Sequence, residues 1–119
     1  MMLTEEILVQ KFTTVNKERC PELGNLLQHC HVELVNFYWG SQPKLFQHFV
    51  IYSPTQLFNS VNAYKGIFRE VAQNLGISEA ICMNATRIIR DPGSTLKQTN
   101  PVLWLELQLV VAQHLQLSE

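Results

Sequence analysis

Residues 32–52, VELVNFYWGSQPKLFQHFVIY, decide the fold, and they admit two architectures. In the first, Val32 to Trp39 continue a helix that opens at Pro21. Leu23, Leu26, Leu27, Cys30, Leu34, Phe37 and Tyr38 then recur at helical spacing, and Gly40 stands where a helix stops. In the second, two strands meet in a β-hairpin. Val32 to Trp39 does not alternate cleanly between apolar and polar residues, and the turn holds no Asn-Gly type of pair. The helical architecture is therefore preferred, with Ser41 and Pro43 opening a further short helix to about Tyr52.

Working outward, the punctuation stays helical. On the N-terminal side, Thr4 caps a first helix with Ile7, Leu8, Phe12 and Val15 on its apolar face. On the C-terminal side, Ser53-Pro54 starts a long helix whose stripe is Leu57, Phe58, Val61, Tyr64, Ile67, Phe68, Val71, Ala72 and Leu75, and Gly76 ends it. Ser78 caps the next helix, to about Arg90, and Asp91 to Ser94 form a turn. Asn100-Pro101 then opens a last helix that is apolar on nearly every side, from Val102 to Leu115. Such a helix lies either in the core or in an interface. The expectation is an all-α, compact bundle of five or six helices, a single domain over residues 1–119. One core would gather Leu57, Phe58, Val61, Phe68, Val71, Leu75, Ile88, Leu105 and Leu109.

Of the 119 residues, 46% are hydrophobic and only 16% charged, against roughly 25% charged in an ordinary soluble domain. A chain of this length can bury roughly two thirds of its unfolded surface and fold without staples. A weakly charged surface favours association, so a homo-oligomer, in the simplest case a homodimer, or a standing protein partner is expected. The net charge of −1 provides no global field for nucleic acid or an anionic membrane. Three cysteines, Cys20, Cys30 and Cys82, lack the paired spacing of a secreted disulfide framework. The start, MMLTEEILVQ, has no basic stretch of the kind that opens a signal peptide. The apolar run Val102 to Val111 is interrupted by Glu106 and Gln108 and falls short of the ~20 residues of a membrane span. A cytoplasmic protein with no membrane association is expected.

Residues 71–91, VAQNLGISEAICMNATRIIRD, resemble a helix-turn-helix motif. Ala72 stands where the second helix packs closely, and Gly76 where the turn needs a positive φ. The resemblance implies a dimeric DNA-binding regulator with its recognition helix near residues 78–90. Ser78, Glu79, Met83, Asn84 and Arg87 would face bases, and Arg90 would lie near phosphate. Lys65, Arg69, Arg87, Arg90 and Lys97 outnumber the local acids, which suits that role. The alternative for the same residues is a helix stop at Gly76 followed by a fresh cap at Ser78.

Other chemistry is sparse. His29, Cys30 and His31 are consecutive, and on a helix they diverge by about 100°, so they do not converge on one ion. Cys20, before Pro21 at a helix N-terminus, is the one plausible nucleophile, but no base or oxyanion donors accompany it in the sequence. There is no glycine-rich phosphate loop and no carboxylate pair placed for acid–base work. No catalytic residue, metal, cofactor or small-molecule substrate is therefore assigned. The aromatics around Gly40 have only Lys44 nearby, which suits a protein partner better than nucleic acid. Trp39, Phe46, Phe49 and Trp104 are the candidate partner-binding residues, with Trp39 the most exposed. The expectation is a non-enzymatic module acting by protein–protein interaction, as adaptor, assembly factor or regulator, with DNA binding the alternative.

Overall fold

The computed structural model describes residues 4–117, with the side chains of the last helix described as far as Gln113. Met1 to Leu3 and the side chain of Leu115 lie outside the described residues. The chain runs α1 (Glu5–Arg19), α2 (Pro21–Leu27), β1 (His31–Trp39), β2 (Lys44–Ser53), α3 (Thr55–Asn62), α4 (Lys65–Asn74), β3 (Glu79–Asn84), α5 (Ala85–Arg90), α6 (Leu96–Thr99) and α7 (Pro101–Leu117). This is a mixed α/β architecture, which overturns the all-α bundle. Its sheet has the order β1-β2-β3, β1 antiparallel and β3 parallel to β2.

Residues 32–52 form the hairpin that their pattern argues against. His31 pairs with Tyr52 and Trp39 with Lys44, around a turn at residues 40–43. Gly40 supplies the turn's positive φ of 100°, so a four-residue loop replaces the Asn-Gly type. Alternation is unclean because helices cover both faces of the sheet, so side chains of either parity must be apolar. Val32, Leu34, Phe49 and Ile51 enter one cluster, while Val35, Val50 and Tyr52 enter the other.

The first face is covered by α1, α2, α3 and α4. Phe12, Phe49, Phe68, Val61 and Val71 are all fully buried there. Phe12 stacks on Phe49 at 4.3 Å between centroids and meets Phe68 at 6.0 Å. Thr4 caps α1 as its sequence implies, its side chain accepting from Ile7 N at 3.2 Å. The long helix expected over 54–75 is instead two, α3 and α4, separated at Ala63 and Tyr64. A parallel connection from β2 to β3 needs a long crossover, and this pair supplies it.

The second face is covered by α5, α6 and α7 around Val50, Tyr52, Ala85, Leu103 and Leu107. The single core expected from the sequence is thus two clusters separated by the sheet. Ile88 belongs to the second, and Leu105 and Leu109, expected inside, are exposed.

Gly76 does adopt a positive φ, of 83°. Ile77 N donates to Ala72 O at 2.9 Å and Gly76 N to Gln73 O at 3.0 Å, the two bonds of a Schellman stop. The next element is β3 and not a recognition helix. Glu79 to Asn84 pair in parallel with His48 to Ser53, and the pairing commits alternate residues to opposite faces of a sheet.

Candidate functional site

Among the described residues, the most exposed apolar side chains gather on two surfaces of this framework. The first is the distal end of the hairpin. Tyr38 and Trp39 are 69% and 74% exposed, and Leu45 is exposed beside them. The hairpin register places Tyr38 opposite Leu45 and Phe37 opposite Phe46, on opposite faces of the ribbon. Phe46 is half-buried and stacks on Phe37 at 5.5 Å, which in turn meets the His48 ring edge-on at 4.8 Å. The end of the hairpin is therefore an aromatic surface with apolar side chains on both faces.

The second surface is the outside of α7. Leu103, Leu107, Val110 and Val111 face the sheet, while Val102, Leu105 and Leu109 are 71%, 63% and 55% exposed. Those three stand at i, i+3 and i+7, so they fall on one stripe. A helix apolar on both sides is what the sequence of this segment shows, and only one side is covered by the described residues.

The candidate partner-binding residues separate accordingly. Trp39 and Phe46 lie on the projecting hairpin, and Trp104 is half-buried on α7. Phe49 does not belong with them: it is fully buried against Phe12, because one residue of register from Val50 puts it on the first face of the sheet. The sequence marks this helix as core or interface without telling one side from the other, and the expected core wrongly takes in Leu105 and Leu109, which lie on the exposed stripe.

The residues implied by the helix-turn-helix resemblance are dispersed. Ser78 precedes β3 and its hydroxyl donates to Gln47 O at 3.0 Å. Glu79 accepts from Arg69 Nε at 2.7 Å and from Ala80 N at 3.1 Å, and the Arg69 bond is the main cause of its lowered pKa. Met83 shows on the second face of the sheet. Asn84 caps α5, accepting from Arg87 N at 3.1 Å, while its amide donates to Thr55 Oγ1 at 2.9 Å. Arg87 and Arg90 are exposed on α5 and form no salt bridge among the described residues. No helix carries Ser78, Glu79 and Met83 together, so the base-facing set the resemblance implies is not assembled.

Cys20, Cys30 and Cys82 are free thiols of intermediate exposure. Cys30 donates to Leu26 O at 3.3 Å, and burial pushes its pKa up to about 12. Burial likewise raises Cys82 to about 11. A thiol held in that range is a poor nucleophile near neutrality. Among the described residues no three His, Cys, Asp or Glu side chains group to hold a metal ion, and no helix is long and apolar enough to cross a membrane. His31, in β1, approaches Glu106 at 3.8 Å and lies over Tyr52 at 6.0 Å between centroids.

Comparison with protein-family models, with curated proteins and with solved structures yields no match.

Proposed function

We propose that this chain is a non-enzymatic interaction module that pairs with a second copy of itself through α7 and offers the aromatic hairpin tip to another protein. The observation that carries the proposal is the outer stripe of α7: Val102, Leu105 and Leu109 are each more than half exposed on one line of a helix. Leaving these side chains in water forgoes about 1.5–3 kcal/mol for each that could be buried. Two such stripes laid against one another recover much of that, and a twofold axis uses the same patch twice. Glu106 flanks the stripe, which fits a polar rim around an apolar centre.

Sedimentation velocity over a concentration series tests the proposal. The wild type should approach a dimer as concentration rises, while Leu105→Glu should sediment as a monomer with an unchanged circular dichroism spectrum. A wild type that stays monomeric at the highest soluble concentration would remove the self-association, and an unchanged dimer in Leu105→Glu would move it off α7.

A further inference from the structure

β1 is an outer strand of the sheet. β2 pairs along one side of it, and no described strand pairs along the other. Beyond that ladder, β1 makes no backbone–backbone hydrogen bond among the described residues. The side of β1 away from β2 therefore presents unpaired N–H and C=O groups, the template on which another strand can be laid.

This edge is the floor of a groove. His31, Val32, Glu33 and Leu34 line an open cavity of about 460 Å³ whose other wall is the first half of α1. Successive strand side chains point to opposite faces, so four consecutive residues can line one groove only along the strand's edge. Asn36 Nδ2 donates to Glu5 Oε1 at 2.8 Å, tying the first turn of α1 to the strand just beyond the groove.

Apart from His31, the titratable groups around the edge are carboxylates. Glu5 and Glu6 stand on the α1 wall, and no Lys or Arg lines the groove. Glu33 shares its face of the sheet with Val35, which packs into the cluster built on α7. Glu106 of α7 reaches His31 on that same side. Carboxylates thus flank the edge on both faces. On the α1 side, Val9, Val32 and Leu34 add an aliphatic floor.

From this we infer that the free edge of β1 binds an extended, basic segment of another protein, which adds to the sheet as a fourth strand. Its main-chain groups pair with the edge, which gives affinity in strand addition, while alternate side chains give selectivity. A Lys or Arg facing α1 lays its aliphatic stem over Val9, Val32 and Leu34 and carries its charge to Glu6. The next side chain, on the opposite face, meets Glu33 and Glu106. A second copy of this chain does not suit the site, because pairing β1 with β1 would bring both sets of carboxylates together. The inference rests on the chain being an interaction module, but not on the α7 dimer.

The test is a titration of a fluorescein-labelled octapeptide in which Arg-Arg and Val-Val pairs alternate, so that Arg falls on both faces of the added strand, followed by anisotropy. A control peptide has the same charge but an N-methyl group on every residue, so neither of its edges has an N–H to donate to a strand. The plain peptide should bind saturably and the methylated one should not. Glu6→Lys combined with Glu33→Lys should weaken binding by at least about fivefold, the equivalent of ~1 kcal/mol. Hydrogen exchange should slow at the amides of residues 31–35. Equal binding of both peptides, no binding, or protection at β3 in place of β1 would each overturn the inference. The comparison of the two peptides uses the wild type, so it stands even if the double variant fails to fold. Leu105→Glu should bind the plain peptide as the wild type does. Dimerisation can thus fail while strand addition holds, and the reverse outcome would remove strand addition alone.

Discussion

The two faces of the sheet are built differently. The first face is closed by four helices, and its centre is the packed trio Phe12, Phe49 and Phe68, all without exposure. The second face is closed by two short helices and α7, around smaller side chains such as Val50, Ala85 and Val110. It leaves Ile81 and Met83 exposed on the sheet and Val102, Leu105 and Leu109 exposed on the covering helix. Burial that is deeper at the centre of one side than of the other separates two tasks. The first face holds the fold, and the second retains apolar surface that further burial can still stabilise.

Truncating one residue on each face breaks or sharpens this contrast. Phe49→Ala should destabilise by about 3–5 kcal/mol, a large share of a whole domain's roughly 5–15. Leu107→Ala removes an equally buried side chain on the second face. Its cost should lie near the low end of the ~2–5 kcal/mol range, because a partly open layer can relax into the space. Urea denaturation measures both. A Leu107→Ala loss equal to that of Phe49→Ala would show that the second layer is as rigidly packed as the first.

The tightly packed face also carries a flaw. Asn16 is fully buried; its amide donates to Phe12 O at 2.8 Å, but its Oδ1 has no partner among the described residues. An unsatisfied buried acceptor costs about 1–3 kcal/mol. Asn16→Leu should therefore raise stability, by about 1 kcal/mol after some packing strain from the larger side chain. A lower midpoint in denaturant would mean that Oδ1 has a partner that Leu cannot replace, and the face would lose its flaw.

The features legible in the sequence are those set by local chemistry. Thr4 as a cap, Pro21 at a helix start, and positive φ at Gly76 each depend on a few neighbouring residues, whereas Gly40, read as a helix stop, turns a hairpin instead. The strands are not legible, and burial explains why. Val50 and Phe49 are both inside, one on each face, so β2 reads as a continuous apolar run in place of an alternation. Short apolar runs do not separate strand from helix by period alone. β3 is hidden differently: Ser78 ahead of Glu79 and Ala80 has the signature of a fresh helix, and only the pairing with β2 turns the segment into a strand. Of the candidate surface, the exposed aromatic at Trp39 can be anticipated from its place beside Gly40. The outer stripe of α7 cannot be told from core, because the sequence shows apolar residues all round and not which side meets the sheet.

The smallest effect on stability is expected where the surface is most apolar. Trp39 is 74% exposed at the end of the hairpin, and no ring contact to it exists among the described residues. Removing it leaves no cavity and orphans no polar group, so Trp39→Ala should change folding stability by no more than about 0.5 kcal/mol. Its optical effect should be large. The chain has two tryptophans, and Trp104 is half-buried, so the variant should lose the red-shifted, readily quenched part of the emission. Acrylamide quenching of dilute protein should then fall sharply from wild type to variant. A stability loss above ~1 kcal/mol would mean that the hairpin tip folds back onto the body, and the contrast between a closed face and open surfaces would not extend to the tip. Quenching that is already weak in the wild type at low concentration would say the same. If quenching is strong in dilute wild type but weakens as concentration rises, while Leu105→Glu shows no such change, then dimerisation through α7 also shelters the hairpin, and the two open surfaces belong to one interface.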